Sequence, residues 1–194
     1  MKKFMFAVIS VCAIVGFLFV EGLHFKITNA IHGDVKVIRT EDMGNSAKAV
    51  LFEDNSNHSF GVAKIEKKYG FLYRYDGGSY SFQVLEGKPF QASGIGDPES
   101  FLVAVKTADE SNIKYIAIGN HMEDIGPTEP YRLSLDEVKL NPSEYHLQEV
   151  TDNYALFVFN GPSEDNWTIR GFSEDGKLIA DKLFGGEERY VDWE

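Results

Sequence analysis

Cysteine is nearly absent from this chain of 194 residues: Cys12 is the single one, and it sits inside the first apolar stretch. Whatever follows it has no disulfide, no thiol nucleophile and no zinc ribbon, and must be held by its core. The residues beyond 25 are numerous enough to build one. Basic side chains are also scarce. The chain carries 19 Lys and Arg against 30 Asp and Glu, a net charge of −11; its first 25 residues hold two of the basic and one of the acidic ones, which leaves about −12 for the remainder. Such a surface repels phosphate backbones and anionic headgroups, so nucleic acid is not an expected partner. A self-repelling, solubilising surface is the simplest use of the charge.

Signatures of catalysis are missing in the same way. The G-x-S-x-G elbow does not occur. Gly94-Ile95-Gly96-Asp97-Pro98 places proline where the helix of a phosphate loop would begin. Histidines 24, 32, 58, 121 and 146 stand at no ligand spacing, and neither Asp54-Asn55-Ser56-Asn57 nor Glu164-Asp165-Asn166 has the calcium-loop pattern, so both read as ordinary turns. His121 with Glu123 and Asp124 reads as a solvated loop rather than a metal site. Acids are so abundant that no glycosidase-like carboxylate pair is nominated. No catalytic residue, metal ligand or cofactor is assigned.

A long uncharged run is what the chain does have. Lys2 and Lys3 precede Phe4–Val20, and no charge intervenes before Glu21. A charge at the bilayer centre costs roughly 2.5–3.5 kcal/mol, so this run partitions into lipid, and the lysines hold its start on the cytoplasmic side. At ~1.5 Å per residue it reaches about 25 Å, the short end of the transmembrane range. It exceeds a usual secretory core and lacks a clean A-x-A site. The expectation is an uncleaved single-pass anchor, with secretion after cleavage near Val20-Glu21-Gly22 as the alternative. Cys12, preceded by Val11, reads as a small apolar filler. A domain on the outer side would not meet cytosolic ATP or NAD.

The remainder alternates with period two and is expected to be mainly β, an antiparallel sheet or β-sandwich behind a transmembrane helix. The expected division is 1–25 anchor or signal, 26–33 a polar linker with room for one loose helical turn, 34–90 a first β subdomain, and 91–194 a second, sandwich-like one. Strands are expected near 35–39, 47–52, 60–66, 71–75 and 80–84, with a loop at 53–58. Asp76-Gly77-Gly78-Ser79 reads as a tight turn. Beyond the Gly- and Pro-rich stretch 87–98, strands are expected over 101–107, 113–119, 131–138, 145–149, 154–160, 167–172 and 178–180; Glu99-Ser100 and Leu135-Asp136-Glu137-Val138-Lys139 offer starts of helical turns without sustaining a helical stripe.

Several segments in order carry a likeness: the apolar start, Lys48–Phe52, Gly70-Phe71-Leu72-Tyr73-Arg74-Tyr75-Asp76-Gly77-Gly78, Ile113-Lys114-Tyr115-Ile116, and Arg170-Gly171-Phe172-Ser173-Glu174-Asp175-Gly176-Lys177-Leu178-Ile179. Over roughly two thirds of the chain this order resembles small membrane-anchored or exported proteins of Gram-positive bacteria. The resemblance implies an export address and a β-rich fold, and brings no functional residue with it.

One feature of the soluble part invites a binding role. Tyr69, Phe71, Tyr73 and Tyr75 share a parity that aims them at one strand face, and Tyr80 and Phe82 stand ready to join them. Exposed, these rings form a platform for a sugar or a protein; buried, they are core, which is the commoner fate of such stripes. The function expected is a non-enzymatic module serving an envelope protein or cell-wall glycan. The alternative is a carboxylate-dependent hydrolase of wall polymers, which needs a cleft with two acids, one raised in pKa by an apolar setting.

Overall fold

A computed structural model describes residues 5, 9, 10, 13, 15–18, 20–44, 46–119, 126, 131–161, 168–183 and 185–191. The described chain is mainly antiparallel β, in three sheets. The first, in order, is β1 (Val35–Gly44), β2 (Ala47–Asp54), β3 (Ser59–Lys68) and β4 (Leu72–Phe82). The second is β5 (Phe90–Gly96), β6 (Ser100–Thr107) and β9 (Tyr154–Asn160). The third is built from β7 (Tyr115–Gly119), β8 (Tyr145–Glu149), β10 (Ile169–Phe172), β11 (Leu178–Lys182) and β12 (Arg189–Tyr190), in the order β12-β11-β10-β7-β8.

The sheets stack in layers because the middle one is apolar on both faces. Leu102 and Ala104 of β6, with Leu156 of β9, meet Ala49, Leu51, Phe60 and Val62 of the first sheet. Their neighbours Val103, Val105, Ala155 and Phe157 point the other way, onto Ile116, Ile118, Ile169 and Ala180 of the third. Alternation sends successive side chains to opposite faces, so Phe101-Leu102-Val103-Ala104-Val105 supplies two cores at once. At about 1.5–3 kcal/mol per fully buried large side chain, these two interfaces dominate the stability.

Two outer clusters finish the stack. Val50, Phe52, Ala63 and Ile65 turn to the far face of the first sheet and are covered by Ala30 and Ile31. On the far side of the third sheet Leu135 and Val138 pack on Phe172 and Leu178. Gly61 allows the first sheet to close: a Cβ there would lie 2.2 Å from the Ser79 carbonyl oxygen and 2.9 Å from the Phe52 ring.

Two expectations are corrected. Asp76–Ser79 is no hairpin turn: β4 runs through it, and the irregularity is a bulge between the pairs Ile65↔Tyr75 and Lys64↔Gly77. Glycines serve a bulge as readily as a turn. Residues 131–138 are no strand; Leu135–Leu140 is a helix started by a capping box, with the Glu137 N–H donating to Ser134 Oγ at 3.3 Å and the Ser134 N–H to Glu137 Oε2 at 2.7 Å. The Ser-x-x-Glu spacing outweighs the local alternation. Within 26–33 the expected helical turn is present as Ile27–Ala30, and its Ala30, with the following Ile31, is buried.

Before that turn, Met5, Ile9, Ser10, Ala13, residues 15–18 and Val20 are helical. Among the described residues no helix is long and apolar enough to cross a membrane, and much of the expected anchor, Cys12 included, lies outside them. The end of this helix is well defined. The Glu21 N–H donates to the Phe17 carbonyl (3.0 Å), Gly22 has φ +64°, and the Leu23 N–H reaches back to the Leu18 carbonyl (2.9 Å). That is a glycine-terminated helix C-cap of the Schellman type. Two residues after Gly22 the chain joins the first sheet: His24 and Tyr73 exchange backbone hydrogen bonds of 2.9 and 2.8 Å.

Candidate functional site

The aromatic stripe follows the bulge. Cross-strand partners share a face, and Lys67↔Tyr73, Ile65↔Tyr75, Ala63↔Gly78, Gly61↔Tyr80 and Ser59↔Phe82 form one such row. The extra residue at the bulge shifts the parity, so Tyr73 and Tyr75 before it share a face with Tyr80 and Phe82 after it. The covering segment then divides the row. Tyr73 and Tyr75 are half-buried against Ala30, Ile31 and Ile65. Tyr80 stands edge-on to Phe52 at 5.1 Å, and its hydroxyl donates to the His32 carbonyl at 3.4 Å. Burial pushes the Tyr75 and Tyr80 phenols upward. Tyr69 and Phe71 lie at the β3–β4 tip and are 73% and 59% exposed, with Phe25 stacked on Phe71 at 6.3 Å. The stripe is therefore partly core and partly free.

A second place was not nominated by the sequence: a cleft of about 330 Å³ where the first and second sheets meet. Its floor is Glu53 at the end of β2, Lys106 on β6 and Tyr154 at the start of β9. The Tyr154 hydroxyl donates to Glu53 Oε1 at 2.5 Å and Lys106 Nζ does so at 3.1 Å, while Lys36 stands 3.6 Å from Oε2. Lys106 also lies over the Tyr154 ring, 5.0 Å from its centre. The Tyr154 hydrogen bond, helped by Lys106 and Lys36, holds the Glu53 carboxyl below its ordinary value against the opposing effect of burial. Burial and the Glu53 charge push the Tyr154 phenol upward.

Tyr154 is aimed by a tight turn. Asp152 and Asn153 have φ of +51° and +66°, and Thr151 and Tyr154 exchange backbone hydrogen bonds of 2.9 Å each. Two consecutive left-handed residues are the mark of a type I′ hairpin. Asp109, Glu110, Asp152 and Glu86 line the rim, with Leu85 as an exposed apolar lip. The Asn153 amide donates to Asp109. Chemically the cleft offers a hydrogen-bonded, ionised carboxylate beneath an acidic rim.

A lone charge directly after the apolar run 101–105 was the available signal for Lys106. Arg170, inside Thr168-Ile169-Arg170-Gly171-Phe172, gives the same signal and is completely buried. Its Nη1 donates to the Gly119 carbonyl (2.5 Å) and Thr168 Oγ1 (2.6 Å), its Nε to the Tyr131 hydroxyl (3.0 Å), and its head faces the Tyr145 ring. Burial pushes the Tyr131 phenol upward, against the pull of the Arg170 charge. This cluster ties β10 to the end of β7, the start of β8 and the Tyr131 segment, a structural task.

The remaining candidates resolve locally. Asp54 Oδ1 accepts from the Asp34 N–H, the Ser56 N–H and the Ser56 hydroxyl at 3.1, 2.9 and 2.6 Å, which is turn chemistry. His121, Glu123, Asp124 and Glu164–Asn166 lie outside the described residues. Among the described residues no three His, Cys, Asp or Glu are grouped to hold a metal. Comparison with family models, curated proteins and solved structures finds no match.

Proposed function

We propose that this chain is a membrane-tethered, extracytoplasmic accessory module that binds an envelope protein without catalysing a reaction. Lys2 and Lys3 stay inside, residues 4–20 cross the bilayer, and 26–194 stand outside. The observation that carries the reading is the joint after the apolar run. The helix stops at Gly22, and His24 is already paired with Tyr73 in the sheet. A leader destined for removal needs an extended segment at its cut; here Val20 and Glu21 are exposed but end a helix, and the chain just beyond is capped at Gly22, buried at Leu23 and hydrogen-bonded at His24.

The partner surface is the acidic cleft with its Leu85 lip, which suits a segment bearing basic and apolar side chains. A photo-crosslinker at Leu85 of the full chain, in native membranes, should trap one envelope protein. Charge reversal at the rim, Glu86→Lys with Glu110→Lys, should weaken that capture about tenfold or more, as loss of steering and complementarity does. Retention on insoluble wall material without a cross-link would instead support a glycan ligand. Equal capture by the charge-reversed chain would contradict the cleft as the binding surface.

A wall-polymer hydrolase is the competing reading, and the cleft is what favours it. Glu53 in its floor is held below its ordinary value by the Tyr154 hydrogen bond. That suits a base or nucleophile; a general acid needs the opposite shift. Release of soluble sugar from wall material by the full chain, lost in Glu53→Gln, would decide for the enzyme.

A further inference from the structure

We propose that the β3–β4 tip docks on the bilayer beside the N-terminal helix, with Phe25, Tyr69 and Phe71 at the headgroup boundary. The inference rests on the membrane tether proposed above. Three observations lead to it.

The first is position. Phe25 lies three residues beyond Gly22, where the helix ends, a span of at most about 10 Å of extended chain. Phe71 is held to Phe25 by the ring stack at 6.3 Å and to the same segment by the His24–Tyr73 bridge. The headgroup zone on each side of a bilayer is about 5–8 Å deep. A helix that ends at the lipid boundary therefore brings these rings within its reach.

The second is the apolar surface itself. Phe25, Tyr69 and Phe71 are 66%, 73% and 59% exposed, although they adjoin a cluster that buries Tyr73 and Tyr75 in part. Tyr69 also holds φ +52°, an uncommon conformation for a bulky side chain. Aromatic rings are at home where apolar and polar media meet, and a bilayer interface supplies such a medium.

The third is charge. The chain is strongly acidic, yet residues 21–26 and 66–75 together carry Lys26, Lys67, Lys68 and Arg74 against Glu21 and Glu66. Lys68 and Arg74 lie 2.9 and 2.5 Å from Glu66. The excess of positive charge is therefore local to the tip, where headgroup phosphates would meet it. A bare sugar platform has no need of it.

The test uses the full chain in vesicles of phosphatidylcholine and phosphatidylglycerol, either plain or brominated on the acyl chains. Phe71→Trp adds one indole to the native Trp167 and Trp193, whose signal the parent chain supplies as background. Emission from the added indole should fall roughly twofold in brominated vesicles, as for an aromatic seated at the acyl boundary. Leu140→Trp, on the exposed face of the helix Leu135–Leu140, should not change. Flotation after an alkaline wash reads the tether separately. If the chain floats but Phe71→Trp is equally bright in both vesicles, the docking is overturned and the tether stands. If it does not float, both are overturned. Phe25→Trp repeats the measurement should Phe71→Trp lose its β spectrum.

Discussion

At the scale of single residues, the same kind of contact has very different worth according to burial. Asp181 is fully buried and takes Arg189 Nε at 2.7 Å and Nη2 at 3.2 Å. Arg189→Met strips it of both and should cost about 3 kcal/mol, because a buried charge is left short of partners. Lys48→Met removes an equally short contact, 2.6 Å to an exposed Asp42, and should cost less than about 0.5 kcal/mol. Urea titration of the two variants compares them directly. Tyr154→Phe removes the hydroxyl that Glu53 accepts from and should cost about 1.5 kcal/mol, in the range of hydrogen bonds to charged groups. Acid should act through Asp97, whose carboxyl is held at about 2 by Lys64 and by the Glu99 and Ser100 N–H groups. A depressed folded pKa stabilises above the unfolded value and loses that contribution as pH falls through the folded one. Stability should therefore decline between about pH 4 and about 2, and Asp97→Asn should flatten that part of the profile, modestly because the group is solvent-screened.

Elements show where a single sequence is legible. Period-two alternation locates most strands, since one buried face demands it, and the loop after Asp54 follows from its turn formers. The bulge in β4 has the sequence of a turn because Gly77 and Gly78 suit either, and only pairing with β3 distinguishes them. The helix Leu135–Leu140 is hidden by its length, six residues being too few for a helical stripe, although its capping box stands in plain view. The aromatic row is legible as a row. Its division into covered and free parts is not, because the cover comes from residues 27–32. The cleft is least legible of all, for Glu53, Lys106 and Tyr154 are brought together across about a hundred positions. Gly61→Ala tests the close approach of β3 and β4. With a carbonyl oxygen 2.2 Å from the new Cβ, the strands must part, and a loss of about 3 kcal/mol is expected in the urea midpoint.

Over the whole molecule, the three sheets share cores in series. The first leans on the second through Leu102 and Leu156, the second on the third through Val103 and Phe157, and the helix end is clipped to the first through His24. Under the proposed topology, a tether attached in this way would set where the domain stands relative to the bilayer, with the cleft on the domain that it carries. The most direct measurement of that account is the intact mass of the chain recovered from native membranes after an alkaline wash. A membrane-retained species that keeps Lys2 and Lys3 is expected. A soluble species beginning near Glu21 or Gly22 would contradict it.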